Sequence, residues 1–143
     1  MERAHGVAVC DTDPLKLHFI WAMWQIGEVA EPHWIAQLKF TRQALYDQRL
    51  GFADRYLFKK ISPDVAQAQR DHDASRSRPN FDLHLRLSSS LVLWYETLAT
   101  VIPFLVRWEL PDGLPQADDA TNPFRYDVSM FDRFVQMLPR PRR

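Results

Sequence analysis

The strongest helical stripe in the chain runs from Asp82 to about Ile102, with Leu83, Leu87, Leu91, Trp94, Tyr95, Leu98 and Ile102 on one face and Pro103 as its stop. So many large apolar side chains on one face need a broad partner surface. Directly after the stripe, Phe104–Leu110 reads as a strand. Two other short apolar runs read the same way: Gly6–Cys10, ending at Asp11-Thr12-Asp13-Pro14, and Arg55–Ile61, ending at Ser62-Pro63. Apolar strands separated by helical segments predict an α/β fold with a short parallel sheet (strands near 6–10, 55–61 and 104–110) flanked by helices.

The remaining helices fill in around those strands. After Pro14, at a helix N-terminus, Leu17, Ile20, Trp21 and Trp24 recur at helical spacing and Gly27 supplies a stop. Glu31 to Leu50 predicts a second helix, with Trp34, Leu38, Thr41 and Leu45 on one face and Gly51 as its C-cap. Residues 64–78 are polar and charged, with Val65 and a few alanines for packing, so that helix is expected to be mobile. Pro111–Pro123 reads as a loop, and Tyr126–Leu138 as a last amphipathic helix carrying Val128, Phe131, Phe134, Val135 and Leu138. Residues 1–138 are expected to form a single domain with a lid-like segment at 63–81, followed by a disordered basic tail at 139–143.

Composition narrows the function classes. A chain of 143 residues has room for one core and little for two. Its 18 basic and 18 acidic side chains balance, so nothing draws it electrostatically to nucleic acid or to an anionic membrane. The single cysteine, Cys10, rules out an internal disulfide and a multi-cysteine zinc site. No apolar stretch approaches the roughly 20 residues of a transmembrane helix, and no secretory signal follows Met1, so a cytoplasmic protein is expected.

Two constellations suit chemistry. Asp11 and Asp13 follow the first strand, where ligands gather in open α/β sheets. They suit Mg²⁺ held through water, or acceptance of a proton from a substrate hydroxyl; equally, either aspartate suits capping the next helix. The second is Arg70-x-x-Asp73-x-x-Arg76-x-Arg78-x-Asn80-Phe81. Arginines on a polar segment between a strand and a helix fit a lid that closes over phosphates, and fit a solvated helix with local ion pairs as well. Trp21 and Trp24 suit either a pocket for a flat base or core packing. The histidines lack metal-ligand spacing. The four glycines, Gly6, Gly27, Gly51 and Gly113, stand apart, and no Gly-x-x-x-x-Gly-Lys-Ser/Thr loop is present to cradle phosphates.

Four strings resemble a known family: Gly-Val-Ala-Val-Cys-Asp-Thr-Asp-Pro-Leu-Lys-Leu-His (6–18), Arg-Leu-Gly-Phe-Ala-Asp-Arg-Tyr-Leu (49–57), Arg-Pro-Asn-Phe-Asp-Leu-His (78–84) and Trp-Tyr (94–95). They are similar to a bacterial group of P-loop kinase-like ATPases related to nucleoside and nucleotide kinases. The resemblance runs from Met1 to about Gly113 and covers the family's C-terminal two-thirds, with Met1–His5 resembling the end of the helix before the third strand.

The resemblance implies a partial three-layer P-loop fold, whose parent transfers a phosphoryl group from Mg-ATP to a small acceptor such as a nucleoside or nucleotide. By the same resemblance Asp11 and Asp13 serve Mg²⁺ or the acceptor hydroxyl, Arg70, Arg76 and Arg78 meet the transferred phosphate, and His18, Trp21 and Trp24 face the acceptor. The ATP-cradling lysine and the Mg²⁺-binding Ser/Thr have no counterpart, so this chain alone is expected to be inactive and to bind no cofactor tightly. A P-loop-free interaction module is the alternative, associating with itself or another chain through exposed strand edges.

Overall fold

A computed structural model of the chain describes residues 2–4, 7–60, 63–72, 81–109 and 121–142. The elements follow in the order β1 (Glu2–Ala4), β2 (Val7–Val9), α1 (His18–Gln25), α2 (Glu31–Tyr46), β3 (Tyr56–Leu57), α3 (Pro63–His72), α4 (Phe81–Val101), β4 (Val106–Arg107) and α5 (Val128–Met137). The fold is mixed: mostly helical, with a small two-stranded parallel sheet.

The leucine and tryptophan stripe becomes α4, 21 residues long, and the other elements assemble on it. Helices α1, α3 and α5 and strand β4 all pack against α4, while α2 closes the cluster by meeting α1 and α5. Aromatic rings set the centre. Trp21 of α1 meets Trp94 of α4 with ring centroids 5.7 Å apart, and Trp94 meets Phe134 of α5 edge-on at 4.8 Å. All three side chains are fully buried. Such edge-to-face contacts suit the ring quadrupoles and fix the helix spacing at one layer of side chains.

The helix ends show why the chain turns where it does. At the end of α1, Gly27 takes φ +79°, its amide bonds Trp24 O, and the Glu28 amide bonds Met23 O at 2.9 Å. That paired closure needs a left-handed residue, which glycine supplies without strain. Helix α2 carries Pro32 in its first turn and closes the same way, with Gln48→Leu45 O and Arg49→Ala44 O bonds. There the left-handed residue is Gln48, at φ 57°, and not Gly51. Gly51 has another duty: a Cβ on it would stand 2.8 Å from Arg125 Cγ and 2.9 Å from Arg125 O, so a larger residue would push the 121–127 strap off. Asp127 caps α5, its side chain accepting from the Met130 amide at 3.0 Å.

The sheet differs from the expectation in one strand and in length: among the described residues, only Tyr56–Leu57 of 55–61 and Val106–Arg107 of 104–110 are strand. Strands β3 and β4 pair in parallel, Tyr56 beside Val106 and Leu57 beside Arg107, with the ladder continued by Phe58→Arg107 O. Residues 7–9 of the 6–10 run do not join them. They form β2, which pairs antiparallel with β1, Glu2 opposite Val9. Residues 2–4 are thus a strand and not the end of a helix. A three-residue run meets its hydrogen-bonding needs from the nearest free edge, and a hairpin partner a few residues away closes the smallest loop. Just past α5, the Gln25 side-chain amide donates to Pro139 O at 3.0 Å, tying that residue to the end of α1. Among the described residues no helix is long and apolar enough to cross a membrane.

Candidate functional site

Asp11 and Asp13 share one turn and have opposite surroundings. Asp11 is exposed, whereas Asp13 is 5% exposed. The turn closes through Lys16→Asp13 O at 3.1 Å, with Lys16 in the left-handed region at φ 55°. Asp13 Oδ1 accepts from the Leu15 amide at 2.9 Å, and Oδ2 accepts from the Tyr95 hydroxyl of α4 at 2.8 Å. The Tyr56 hydroxyl of β3 lies close enough to this carboxylate to feel its charge, and accepts from the Ala53 amide at 3.1 Å. One carboxylate therefore ties the turn after β2 to α4.

His18 opens α1 beside this carboxylate. It is 6% exposed, and its ring lies 4.4 Å from Phe19 and 6.2 Å from Tyr95 between centroids. Its Nδ1 is buried without a hydrogen-bond partner. Phe19 in turn meets His84 of α4 edge-on at 6.0 Å.

Burial dominates the electrostatics of this corner. It pushes the Asp13 carboxyl above its ordinary value of 3.8, against the opposing pull of His18 and of the donors Leu15, Tyr95 and Tyr56. It pushes His18 below 6.5, against the attraction of Asp13. Both tyrosines are raised, first by burial and then by the Asp13 charge, which disfavours a phenolate beside it. The group therefore holds neutral hydroxyls that donate and a carboxylate that accepts.

The other sequence-predicted residues fall elsewhere. Trp21 is core, wedged against Trp94. Trp24 is half-buried and stacks on Trp34 of α2, with ring centroids 5.8 Å apart and planes 13° from parallel. These indoles line a cavity of about 300 Å³ between α1, α2 and the end of α5, which shares no lining residue with the Asp13 corner. Hence His18 and the two tryptophans, grouped by the resemblance in one acceptor pocket, lie on separate sites. Arg70 belongs to α3, while Arg76 and Arg78 lie outside the described residues. Arg86, on α4, pairs with Glu28 at 2.9 Å. Among the described residues no group of three or more His, Cys, Asp or Glu side chains is placed to hold a metal ion.

The partners that the residue-by-residue reading missed are Tyr56 and Tyr95. A signal existed for Tyr95: a tyrosine in a buried stripe has a hydroxyl that must find an acceptor. A second polar corner has no such signal. Asp54 pairs with Arg125 and accepts from the Asn122 amide at 2.8 Å, while Asn122 Nδ2 donates to Ala53 O at 3.2 Å, which pins the 121–127 strap beside β3.

No protein-family model, curated protein or solved structure matches the chain.

Proposed function

We propose that the chain is the acceptor-side part of a P-loop kinase-like phosphotransferase, whose phosphoryl donor is Mg-ATP and whose acceptor is a small hydroxyl compound such as a nucleoside or nucleotide. The observation that carries this reading is convergence. Asp13 and His18, Tyr56, and Tyr95 come from three separate strings of the chain and meet in one buried polar group, and His84, from the fourth string, reaches it through Phe19. Core packing alone does not require a buried carboxylate beside a buried histidine, since each costs solvation. The parallel β3–β4 pair, bridged by α3 and α4, also agrees with two adjacent strands at one end of such a sheet.

In this reading the two aspartates divide the work. Asp13, with both oxygens engaged, fixes the turn; Asp11, exposed on the same turn, is the carboxylate free to take the acceptor's proton as its oxygen attacks phosphorus. Arg70, Arg76 and Arg78 keep the lid role in the proposal.

Calorimetry with Mg-ATP, and separately with a panel of nucleosides and nucleoside monophosphates, tests it. Mg-ATP is expected to bind no tighter than about millimolar, roughly 4 kcal/mol, because the sequence has no Gly-x-x-x-x-Gly-Lys-Ser/Thr string to cradle its phosphates. At least one acceptor should bind, and Asp11→Asn should weaken that binding while leaving the melting temperature unchanged. Micromolar Mg-ATP affinity, or silence across the whole acceptor panel, overturns the proposal.

The interaction-module reading has one observation in its favour. Among the described residues the β3–β4 sheet has two strands, so each presents an outer edge. A concentration-dependent dimer by size exclusion, dissolved by proline at Leu57, would favour it.

A further inference from the structure

We propose that the cavity between α1, α2 and the end of α5 is a binding site for a small organic cation with an apolar or aromatic body. This site is separate from the Asp13 corner and does not rest on the phosphotransferase reading. Its volume, about 300 Å³, lies at the lower end of the range for small-molecule pockets. The wall is indole: Trp21, Trp24 and Trp34 line it with Ile35 and Leu38. Trp24 and Trp34 stack into one continuous aromatic surface, of which the half-buried Trp24 is the ring a ligand meets. Indole faces attract cations through their quadrupole more strongly than any other side-chain ring.

The charges around that wall give the sign. Glu31, the first residue of α2, lines the cavity with its exposed carboxylate. The C-terminal end of α5 contributes Val135, Gln136 and Leu138, and a helix C-terminus carries partial negative charge. Arg140 is the single basic lining residue, and it lies on the tail tied to Gln25 through Pro139. Among the described residues neither Glu31 nor Arg140 has an ion-pair partner, so both charges are available to a ligand. The N-terminus of α2 at Glu31 offsets the C-terminus of α5, so it is the indole wall and the Glu31 carboxylate, against one guanidinium, that favour a cation, and the effects of the two charged residues are opposite.

The test uses the full chain, calorimetry, and two probes of similar size: benzyltrimethylammonium and indole-3-acetate. The ammonium is expected to bind saturably and the acetate about ten-fold more weakly or not at all. Glu31→Gln should weaken ammonium binding about five-fold and Arg140→Gln should strengthen it, each without a change in melting temperature because both side chains are exposed. Trp24→Leu, which keeps apolar volume but removes the ring face, should weaken the ammonium more than a neutral probe, toluene. Tighter binding of the acetate, lost in Arg140→Gln, overturns the proposal. So does an ammonium affinity indifferent to Glu31→Gln, or no saturation by either probe below about 10 mM.

Discussion

The two ends of α1 are built on opposite principles. At its start, His18 enters a polar corner: Asp13 takes the Leu15 amide and the Tyr95 hydroxyl, Tyr56 takes the Ala53 amide, and His18 Nδ1 is left without a partner. At its end, Trp24 stands over an open cavity whose lining charges, Glu31 and Arg140, have no ion-pair partners among the described residues. The first region is held by hydrogen bonds that water cannot compete for, and is therefore intolerant of small changes. The second is held by apolar stacking and leaves its charges to solvent, so it tolerates their replacement.

The largest effect should come from the aromatic core that lies between the two regions. Trp94 stands between Trp21 and Phe134 with 0% exposure. Trp94→Ala is expected to cost about 3–5 kcal/mol in a urea melt, and to disturb both ends of α1 together. If only one end responds, the common core described here is wrong.

Within the polar corner, Tyr95→Phe removes one donor from a buried carboxylate and is expected to cost about 1–3 kcal/mol. Capping at α5 is worth less: Asp127→Ala should cost about 1 kcal/mol, since one helix amide loses its acceptor to partial hydration. At the rim of the cavity, Glu31→Gln should change stability by no more than about 0.5 kcal/mol.

Acidity sharpens the contrast, because the corner titrates in two opposing directions. Asp13 has a raised value in the fold, so its contribution is full below 3.8 and is lost as pH rises through the raised value. His18 has a lowered value, so its contribution is present above 6.5 and is lost as pH falls through the lowered value. The Asp13 slope runs upward from 3.8 and the His18 slope downward from 6.5, and the two have opposite signs. His18→Gln should unmask the falling slope with rising pH, and Asp13→Asn the rising one, in melts taken across both. Profiles identical to the native protein in both variants would remove the electrostatic account of this corner.

Part of this was legible in the sequence. Helix α4 follows from the Leu83–Ile102 stripe because a 3.6-residue period over so many large side chains has no other use. Gly27 marked the end of α1 for the same local reason that glycine closes helices elsewhere. The sheet was less readable. A run of three or four apolar residues at Val7–Val9 declares an extended backbone but not which strand it will meet, and the antiparallel β1 was invisible in Glu2–Ala4. The site was half readable. That an aspartate stood after the first strand was plain; that Asp13 would be buried under Tyr95, 82 residues away in sequence, depends on how α4 crosses the turn. The separation of His18 from Trp24 follows from helix geometry: six positions place them about 120° apart around α1 and about 9 Å along it.

Two aspartates two residues apart have different jobs, and paired urea melts of Asp13→Ala and Asp11→Ala test this most directly. Asp13→Ala leaves the Leu15 amide and the Tyr95 hydroxyl without an acceptor, and even after relief of the buried charge should cost about 2–4 kcal/mol. Asp11→Ala, at an exposed position, should stay within about 0.5 kcal/mol of the native protein. Equal losses from the two, or a larger loss from Asp11, would contradict the division of labour and with it the assignment of Asp11 as the free carboxylate.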